Sequence, residues 1–110
     1  MEHQNRVTLH ICTNDRLTEL CLLLQSLRTQ TFQDVMILDD GSGNPPIRHH
    51  TFMSIVQRMK LEKHKIKLLR NEYKTGVCKA RQKLIDEDSY NNRYVVRLDD
   101  DTILNMNYLQ

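Results

Sequence analysis

The sequence has few of the features that characterise cross-linked, membrane-spanning or nucleic-acid-binding proteins. Its 3 cysteines are an odd number without CxxC spacing, so neither a disulfide framework nor a cysteine metal site is predicted. Apolar runs such as residues 22–24 are far too short to cross a bilayer, and no transmembrane segment is expected. The 16 lysines and arginines form no sustained block and the net charge is only +2, so no nucleic-acid partner is expected.

Aromatic residues and glycine are also scarce. The 4 tyrosines are too scattered to form a platform on which bases would stack. Gly41 and Gly43 would make half of a GxGxxG fingerprint, but the third glycine is absent, so a dinucleotide site is not predicted. His49, His50 and His64 lack ligand spacing and are expected at the surface or at helix ends.

The three cysteines fall within predicted strands and helices. We therefore expect Cys12, Cys21 and Cys78 to be buried free thiols. Free thiols are typical of a reducing compartment, so a cytoplasmic location is predicted.

Short apolar segments alternate with amphipathic segments four times along the chain. Residues 7–12, 35–38, 66–69 and 94–98 have the aliphatic and β-branched composition of strands. Repeated strand–helix units predict an α/β fold with a mostly parallel sheet and helices on both faces. At 110 residues the chain is expected to form one domain at most. The predicted helices cover about residues 17–27, 47–60, 77–87 and 102–110.

Acidic side chains follow two of the predicted strands. Asp39 and Asp40 end the second strand, and residues 99–101, Asp-Asp-Asp, end the fourth. Because the carboxyl ends of parallel strands meet at one edge of a sheet, we expect these acids and Thr13 to converge there.

Carboxylates crowded in this way repel one another and stay ionised only beside cations or donors. Hard oxygen ligands suit Mg²⁺ or Mn²⁺, and such a metal binds an anionic ligand in turn. A helix that begins after Gly76 and carries Lys79 and Arg81 supplies basic groups for phosphates. The pattern therefore predicts a nucleoside diphosphate site with a divalent metal, whereas either acid cluster alone would also fit an acidic turn.

Four segments resemble motifs of the GT-A glycosyltransferases, in particular the large inverting family 2. They are residues 7–16 (VTLHICTNDR), 35–42 (VMILDDGS), 76–81 (GVCKAR) and 99–101 (DDD), which fits the DxD signature. Within the first segment, residues Cys, Asn and Asp stand at positions 12, 14 and 15, where the family has Pro, Tyr and Asn. The resemblance covers nearly the whole chain and depends on the order and spacing of the motifs.

The resemblance implies transfer of a sugar from a nucleoside diphosphate sugar, most simply a UDP-sugar, to a glycan or other acceptor. Asp40, with Asp39, is expected to bind the base or ribose, and Asp101, with Asp99, to hold Mn²⁺ or Mg²⁺. The implied nucleotide-binding residues are Thr13, Arg16, Asp39, Asp40, Gly76, Arg81, Asp99 and Asp100.

The resemblance also implies that residues 1–110 are the donor-binding half of a domain whose acceptor-binding half is absent. Inverting transfer needs a general base, which is expected beyond Gln110, so no catalytic residue is assigned here. A truncated enzyme is the preferred interpretation, and a non-catalytic nucleotide-binding or interaction fragment is the alternative. Because the fourth strand has the composition of a strand buried on both faces, we expect exposed apolar surface near Val95, Val96 and Ile103, and a homodimer that covers it.

Two other α/β functions fit the sequence less well. A signalling receiver domain needs an acid pair after its first strand and an acceptor Asp after its third, where this chain has residues 13–15 (TND) and 70–71 (RN). A sugar nucleotidyltransferase needs a glycine-rich phosphate loop with a basic residue after the first strand, and that loop is absent.

Overall fold

The computed structural model describes residues 7–28, 33–90, 92 and 94–100. Its strands are β1 (Val7–Thr13), β2 (Gln33–Asp40), β3 (Lys65–Asn71) and β4 (Tyr94–Asp99). Its helices are α1 (Leu17–Leu27), α2 (His50–Leu61) and α3 (Val77–Glu87), with a 3₁₀ turn at Pro46–Arg48. The helix predicted from residue 47 begins at His50, because the prolines fix a tighter turn first. The helix predicted over residues 102–110 lies outside the described residues.

The four strands form one sheet, all parallel, in the order β3-β2-β1-β4. This confirms the predicted fold class. The chain passes from β1 outward to β2 and β3 and then returns to the opposite side of β1, so the direction of winding reverses between β1 and β4. Ligands of open parallel sheets bind at the carboxyl ends of the strands beside such a reversal. The register places Thr13 beside Asp39, Cys12 beside Asp99 and Asp40 beside Asn71.

The larger core lies between the sheet and helices α1 and α2. Alternate residues of β1, with Val35 and Ile37 of β2, point to this face, as expected for the period of two in a strand. Leu20 and Leu24 of α1 and Phe52 of α2 are fully or almost fully buried against them. Burial of a large apolar side chain contributes roughly 1.5–3 kcal/mol, so this layer holds the strands in place.

The opposite face of the sheet is covered by α3 and is partly polar. Met36 and Leu38 pack on Ala80 and Leu84, but β1 contributes Thr8, His10 and Cys12 on this side.

Hydrogen bonds on this face hold the connection between α3 and β4. His10 Nε2 lies 2.9 Å from Asp88 Oδ2, and Asn92 Nδ2 donates to Thr8 Oγ1 at 2.8 Å and to Asp34 Oδ2 at 2.5 Å. The sequence predicts only a polar turn for this connection. In the structure, its side chains also form hydrogen bonds with the buried polar groups of β1 and β2.

Strand β4, which has the composition of a strand buried on both faces, packs on the core with one face only. Val96 and Leu98 pack on the larger core, but Val95 is 48% exposed and Tyr94 is 50% exposed. The reason is its edge position, since β4 pairs with β1 and no other described strand pairs with it. The predicted exposure of Val95 is therefore present, while Ile103 lies outside the described residues.

The cysteines are free, but they are less buried than predicted. Cys12 and Cys21 are partly buried, and Cys78 is exposed because it lies in the first turn of α3 on the side away from the sheet. Within the described ranges, the structure contains no helix that is both long and apolar enough to span a membrane.

Candidate functional site

A cleft of about 520 Å³ opens at the carboxyl ends of β1 and β4, beside the start of α3. It brings together six of the eight predicted nucleotide-binding residues. Asp39 and Gly76 are not among the described residues that line it. The lining residues are His10, Cys12, Thr13, Asn14, Arg16, Asp40, Lys74, Val77, Ala80, Arg81, Leu98, Asp99 and Asp100.

Asp40 is a buried carboxylate that holds the loop between β3 and α3. Its Oδ1 accepts hydrogen bonds from Asn71 Nδ2 at 2.9 Å, Thr75 N at 2.9 Å and Thr75 Oγ1 at 3.0 Å. Its Oδ2 accepts from Gly76 N at 3.0 Å. Burial alone would raise the pKa of Asp40, but these hydrogen bonds outweigh it and hold the pKa below its ordinary value of 3.8. Asp40 is therefore an ionised, acceptor-only group at neutral pH.

Asp39 contacts a different set of residues from Asp40. Its Oδ1 accepts from Ser42 N at 3.1 Å, and its Oδ2 lies 3.4 Å from Arg70 Nε. Arg70 Nη2 also reaches the carbonyl oxygen of Ser42 at 3.4 Å. These contacts fix the turn after β2. The proposed contact of Asp39 with a nucleotide stays a prediction.

The loop after β1 is interlocked with the turn after β2. Asn14 Nδ2 donates to the carbonyl oxygen of Asp40 at 2.7 Å, and Asp15 N donates to Ser42 Oγ at 2.8 Å. Gly43 N donates in return to Asp15 Oδ1 at 3.0 Å. The two loops are therefore held together at the edge of the sheet that carries the cleft.

The ends of β1 and β4 meet across the floor of the cleft. Thr13 Oγ1 donates to Asp100 Oδ2 at 2.9 Å, and Arg16 Nη1 lies 3.9 Å from the other oxygen of Asp100. Arg81 Nη2 lies 3.6 Å from Asp99 Oδ1. Asp100 is buried, whereas the side chain of Asp99 is 73% exposed. Asp99 is therefore the cleft carboxylate most open to an approaching ligand.

Charges of both signs surround the cleft. The cations are Arg16, Lys74 and Arg81, and the carboxylates are Asp40, Asp99 and Asp100. A ligand that combines anionic groups with N–H or O–H donors would pair with both sets.

Cys12 in the cleft is not activated as a nucleophile. Burial raises the pKa of its thiol, Arg81 opposes this rise, and Asp40 and Asp100 add to it. Since the thiolate is the nucleophilic form, covalent catalysis by Cys12 is not supported.

The predicted metal ligands are only partly described. Asp101 lies outside the described residues, and those residues contain no cluster of three or more His, Cys, Asp or Glu suited to a metal. Asp99 offers an exposed carboxylate at the cleft, and such hard oxygens fit Mg²⁺ or Mn²⁺. The donor chemistry of Asp99 therefore fits the predicted ion.

Sequence reasoning missed several residues of the site. Lys74 lines the cleft, and Asn71 and Thr75 bind Asp40. Asn71 ends β3 and the other two follow it, at the same edge of the sheet as the predicted acids. Because the carboxyl ends of parallel strands meet at this edge, the position of these residues at the end of β3 is the sequence signal that identifies them.

The family model described as Glycosyl transferase family 2 matches residues 8–110. Mannosyltransferase PcManGT from Pyrobaculum calidifontis, solved in complex with GDP-Man and Mn²⁺, is similar in fold. It has a TM-score of 0.64 and 20% sequence identity, over 87% of this chain and 27% of that one. TarS from S. aureus has a TM-score of 0.66 and 21% identity, over 87% of this chain and 16% of that one. The chain thus spans well under a third of either structure. Comparison with curated protein sequences gives no match.

Proposed function

We propose, on the premise that this chain belongs to glycosyl transferase family 2, that its cleft binds the nucleotide of a sugar donor. The chain would be the donor-binding part of an enzyme that transfers sugar from a nucleoside diphosphate sugar to an acceptor. The observation that carries the proposal is the cleft at the reversal between β1 and β4, with three cations and three carboxylates around it.

The base or ribose is assigned to Asp40. Its Oδ1 accepts three donors and its Oδ2 accepts one from Gly76, so Oδ2 retains the capacity to accept another. An ionised carboxylate selects for a donor on the ligand. Uracil and guanine have a ring N–H donor on their pairing edge, whereas the corresponding ring nitrogens of cytosine and adenine are acceptors. UDP is the proposed nucleotide, and GDP is the second candidate because the similar mannosyltransferase was solved with GDP-Man.

The diphosphate is assigned to the cationic side of the cleft. Arg16, Lys74 and Arg81 would pair with its oxygens, and guanidinium groups suit phosphates because they form two parallel hydrogen bonds. Thr13 and Asp100 would lie toward the ribose or sugar. Gly76 would act through its backbone, which both binds Asp40 and leads into α3.

Asp99 and Asp101 would hold Mn²⁺ or Mg²⁺. Such an ion supplies positive charge that stabilises the departing diphosphate when it is bound.

We expect UDP to bind at least about tenfold more tightly with Mn²⁺ than with EDTA, a difference of about 1.4 kcal/mol. Asp101→Ala should abolish that difference because the ion loses a ligand. Isothermal titration calorimetry with UDP measures it, and Asp86→Ala, an exposed acid of α3, is the matched control. Equal affinities of the unaltered protein in Mn²⁺ and in EDTA would remove the metal from the proposal.

The catalytic base is proposed to lie beyond Gln110. Among the described carboxylates of the cleft, Asp40 holds the loop after β3, Asp100 is buried with Thr13, and Asp99 faces Arg81. Since Asp99 is also assigned to the metal, none of the three is assigned as the base that accepts a proton from an acceptor hydroxyl. The same observation favours a non-catalytic nucleotide-binding module as the second candidate function. Slow release of free sugar from a UDP-sugar would favour the enzyme, since a binding module would leave the donor intact.

The exposed edge strand leads to a proposal about assembly. We expect the 110-residue chain to self-associate through β4, because Val95 offers exposed apolar surface there and β1 is the neighbour of β4 among the described strands. Light scattering over a concentration series should show a mass rising toward twice that of the monomer. Val95→Lys should suppress the rise, whereas Leu61→Lys, at an exposed position of α2, should not. A constant monomer mass at high concentration would contradict the proposal.

The free cysteines support a reducing location. The cytoplasm is the proposed compartment on that ground alone.

A further inference from the structure

A chain of three polar side chains runs behind the cleft, from α3 to the end of β2. Lys83 Nζ donates to Asn71 Oδ1 at 2.7 Å, and Asn71 Nδ2 donates to Asp40 Oδ1 at 2.9 Å. Asn71 ends β3 directly beside Asp40 in the register of the sheet. Neither Asn71 nor Lys83 is among the described residues that line the cleft. The two residues therefore contact the cleft indirectly, through Asp40, and Asn71 Nδ2 also lies 3.4 Å from Thr75 Oγ1.

The chemistry of the three groups allows only one orientation of the Asn71 amide. Lys83 can only donate, and the ionised Asp40 can only accept. If the amide were turned over, its NH₂ group would face the ammonium of Lys83 and its oxygen would face the carboxylate of Asp40. Both contacts would be repulsive. Lys83 consequently keeps the amide NH₂ group directed at Asp40.

We propose that Lys83 and Asn71 are positioning residues that fix the Asp40 carboxylate for recognition of the nucleobase. The inference rests on the proposed nucleotide-binding function, in which Asp40 accepts a hydrogen bond from the base. Asn71 and Thr75 hold one oxygen of the carboxylate, Oδ1, while Gly76 holds the other, Oδ2. Lys83 acts one step further back, because without it the amide loses one of the two contacts that direct its NH₂ group to Asp40.

The first test needs no ligand. In ¹⁵N-labelled protein, the Asn71 side-chain NH₂ signals are assigned by their loss in Asn71→Ala. Lys83→Met, which keeps the apolar stem but removes the donor, should shift these signals and speed their exchange with water. Lys83→Arg should largely restore them, and Lys60→Met, the same change at an exposed position of α2, should leave them unchanged. Unaltered Asn71 signals in Lys83→Met would overturn the proposal.

The second test measures nucleotide affinity by calorimetry. Lys83→Met should weaken UMP and UDP by the same factor, about tenfold, because the defect lies at the base and not at the diphosphate. Lys83→Arg should retain most of the affinity and Lys60→Met all of it. The double variant Asn71→Ala/Lys83→Met should bind no more weakly than Asn71→Ala alone, since the two residues act in series.

The outcomes separate the two proposals. Additive losses in the double variant, or a loss confined to UDP, would overturn the positioning role while leaving nucleotide binding intact. If the unaltered protein bound neither UDP nor GDP, the proposed function would fail, and the ligand-free spectra would still decide whether Lys83 orients Asn71.

Discussion

Replacing Gly41 by alanine is expected to destabilise the protein by about 3 kcal/mol or more and to weaken nucleotide binding with it. Gly41 has a φ of +77°, and a Cβ built on it would lie 2.3 Å from the backbone nitrogen of Lys74 and 2.6 Å from the carbonyl carbon of Tyr73. Both neighbours are backbone atoms, so the substitution forces the loop after β3 to move.

Two penalties add in this variant. The left-handed backbone costs a residue with a Cβ roughly 1–2 kcal/mol, and inserting a methyl group into filled space typically costs a further 1–3 kcal/mol. Displacement of the loop would also break the hydrogen bonds from Thr75 and Gly76 to Asp40 and would move Lys74 away from the cleft. Stability and binding should therefore fall together.

The other two glycines distinguish the cost of a left-handed backbone from the cost of steric overlap. Gly76 has a φ of +95°, but nothing lies within 4 Å of its added Cβ, so Gly76→Ala should show strain without overlap. Gly43 meets only Asp15 Oδ1 at 4.0 Å, so Gly43→Ala should be nearly neutral.

Thermal unfolding of the three variants is the measurement. Gly41→Ala should lower Tm by more than about 10 °C, and Gly76→Ala by less. A Gly41→Ala protein as stable as Gly43→Ala would contradict the close contact between Gly41 and the backbone of the loop after β3.

The parallel sheet can be predicted because each strand has a recognisable local sequence pattern. Residues 35–38 are a continuous apolar run, and they are almost completely buried at the centre of the sheet. The edge rule then placed Thr13, Asp40, Asp99 and Asp100 at one cleft without knowledge of the strand order. The cause of the exposure of β4 is not visible in its composition, which resembles that of β2, because only the order of the described strands makes it an edge strand.

The sequence does not predict that Asp39 and Asp40 bind different partners. The two carboxylates are adjacent and equally buried, yet one binds Ser42 and Arg70 and the other binds Thr75 and Gly76. Successive side chains of a strand point to opposite faces, so the pair had to diverge. Which of them faces the cleft depends on the position of α3. The chain of contacts from Lys83 is likewise invisible to periodicity, since it joins three separate segments.

Asp40→Asn is expected to reduce UDP affinity by at least about 30-fold, because the ligand and the loop both lose an ionised acceptor. Oδ1 and Oδ2 of Asp40 both accept from backbone N–H groups, so either orientation of an amide would set its NH₂ group against Thr75 N or Gly76 N. One of these donors would be left without a partner, at a cost of roughly 1–3 kcal/mol in stability. Calorimetry with UDP and denaturant unfolding measure the two losses.

Asp34→Asn is the matched control for this variant. Asp34 is also a buried carboxylate of β2, but it lies at the amino end of the strand and accepts a hydrogen bond from Asn92. Its replacement should cost stability and leave UDP affinity within about twofold of the original, because the cleft lies at the carboxyl end of the sheet. Equal losses of affinity in the two variants would mean that binding reports on general stability and not on Asp40.

The pH dependence of unfolding gives an independent test of the ionised state of Asp40. Its pKa in the folded protein lies below the ordinary value of 3.8, so its ionisation stabilises the fold at pH values above 3.8. That contribution is lost as the pH falls through the depressed pKa of the folded state. The difference in unfolding free energy between the unaltered protein and Asp40→Asn should therefore be constant near neutral pH and should shrink below about pH 4. A difference that stayed the same down to about pH 2 would show that the carboxylate contributes through its shape and not through its charge.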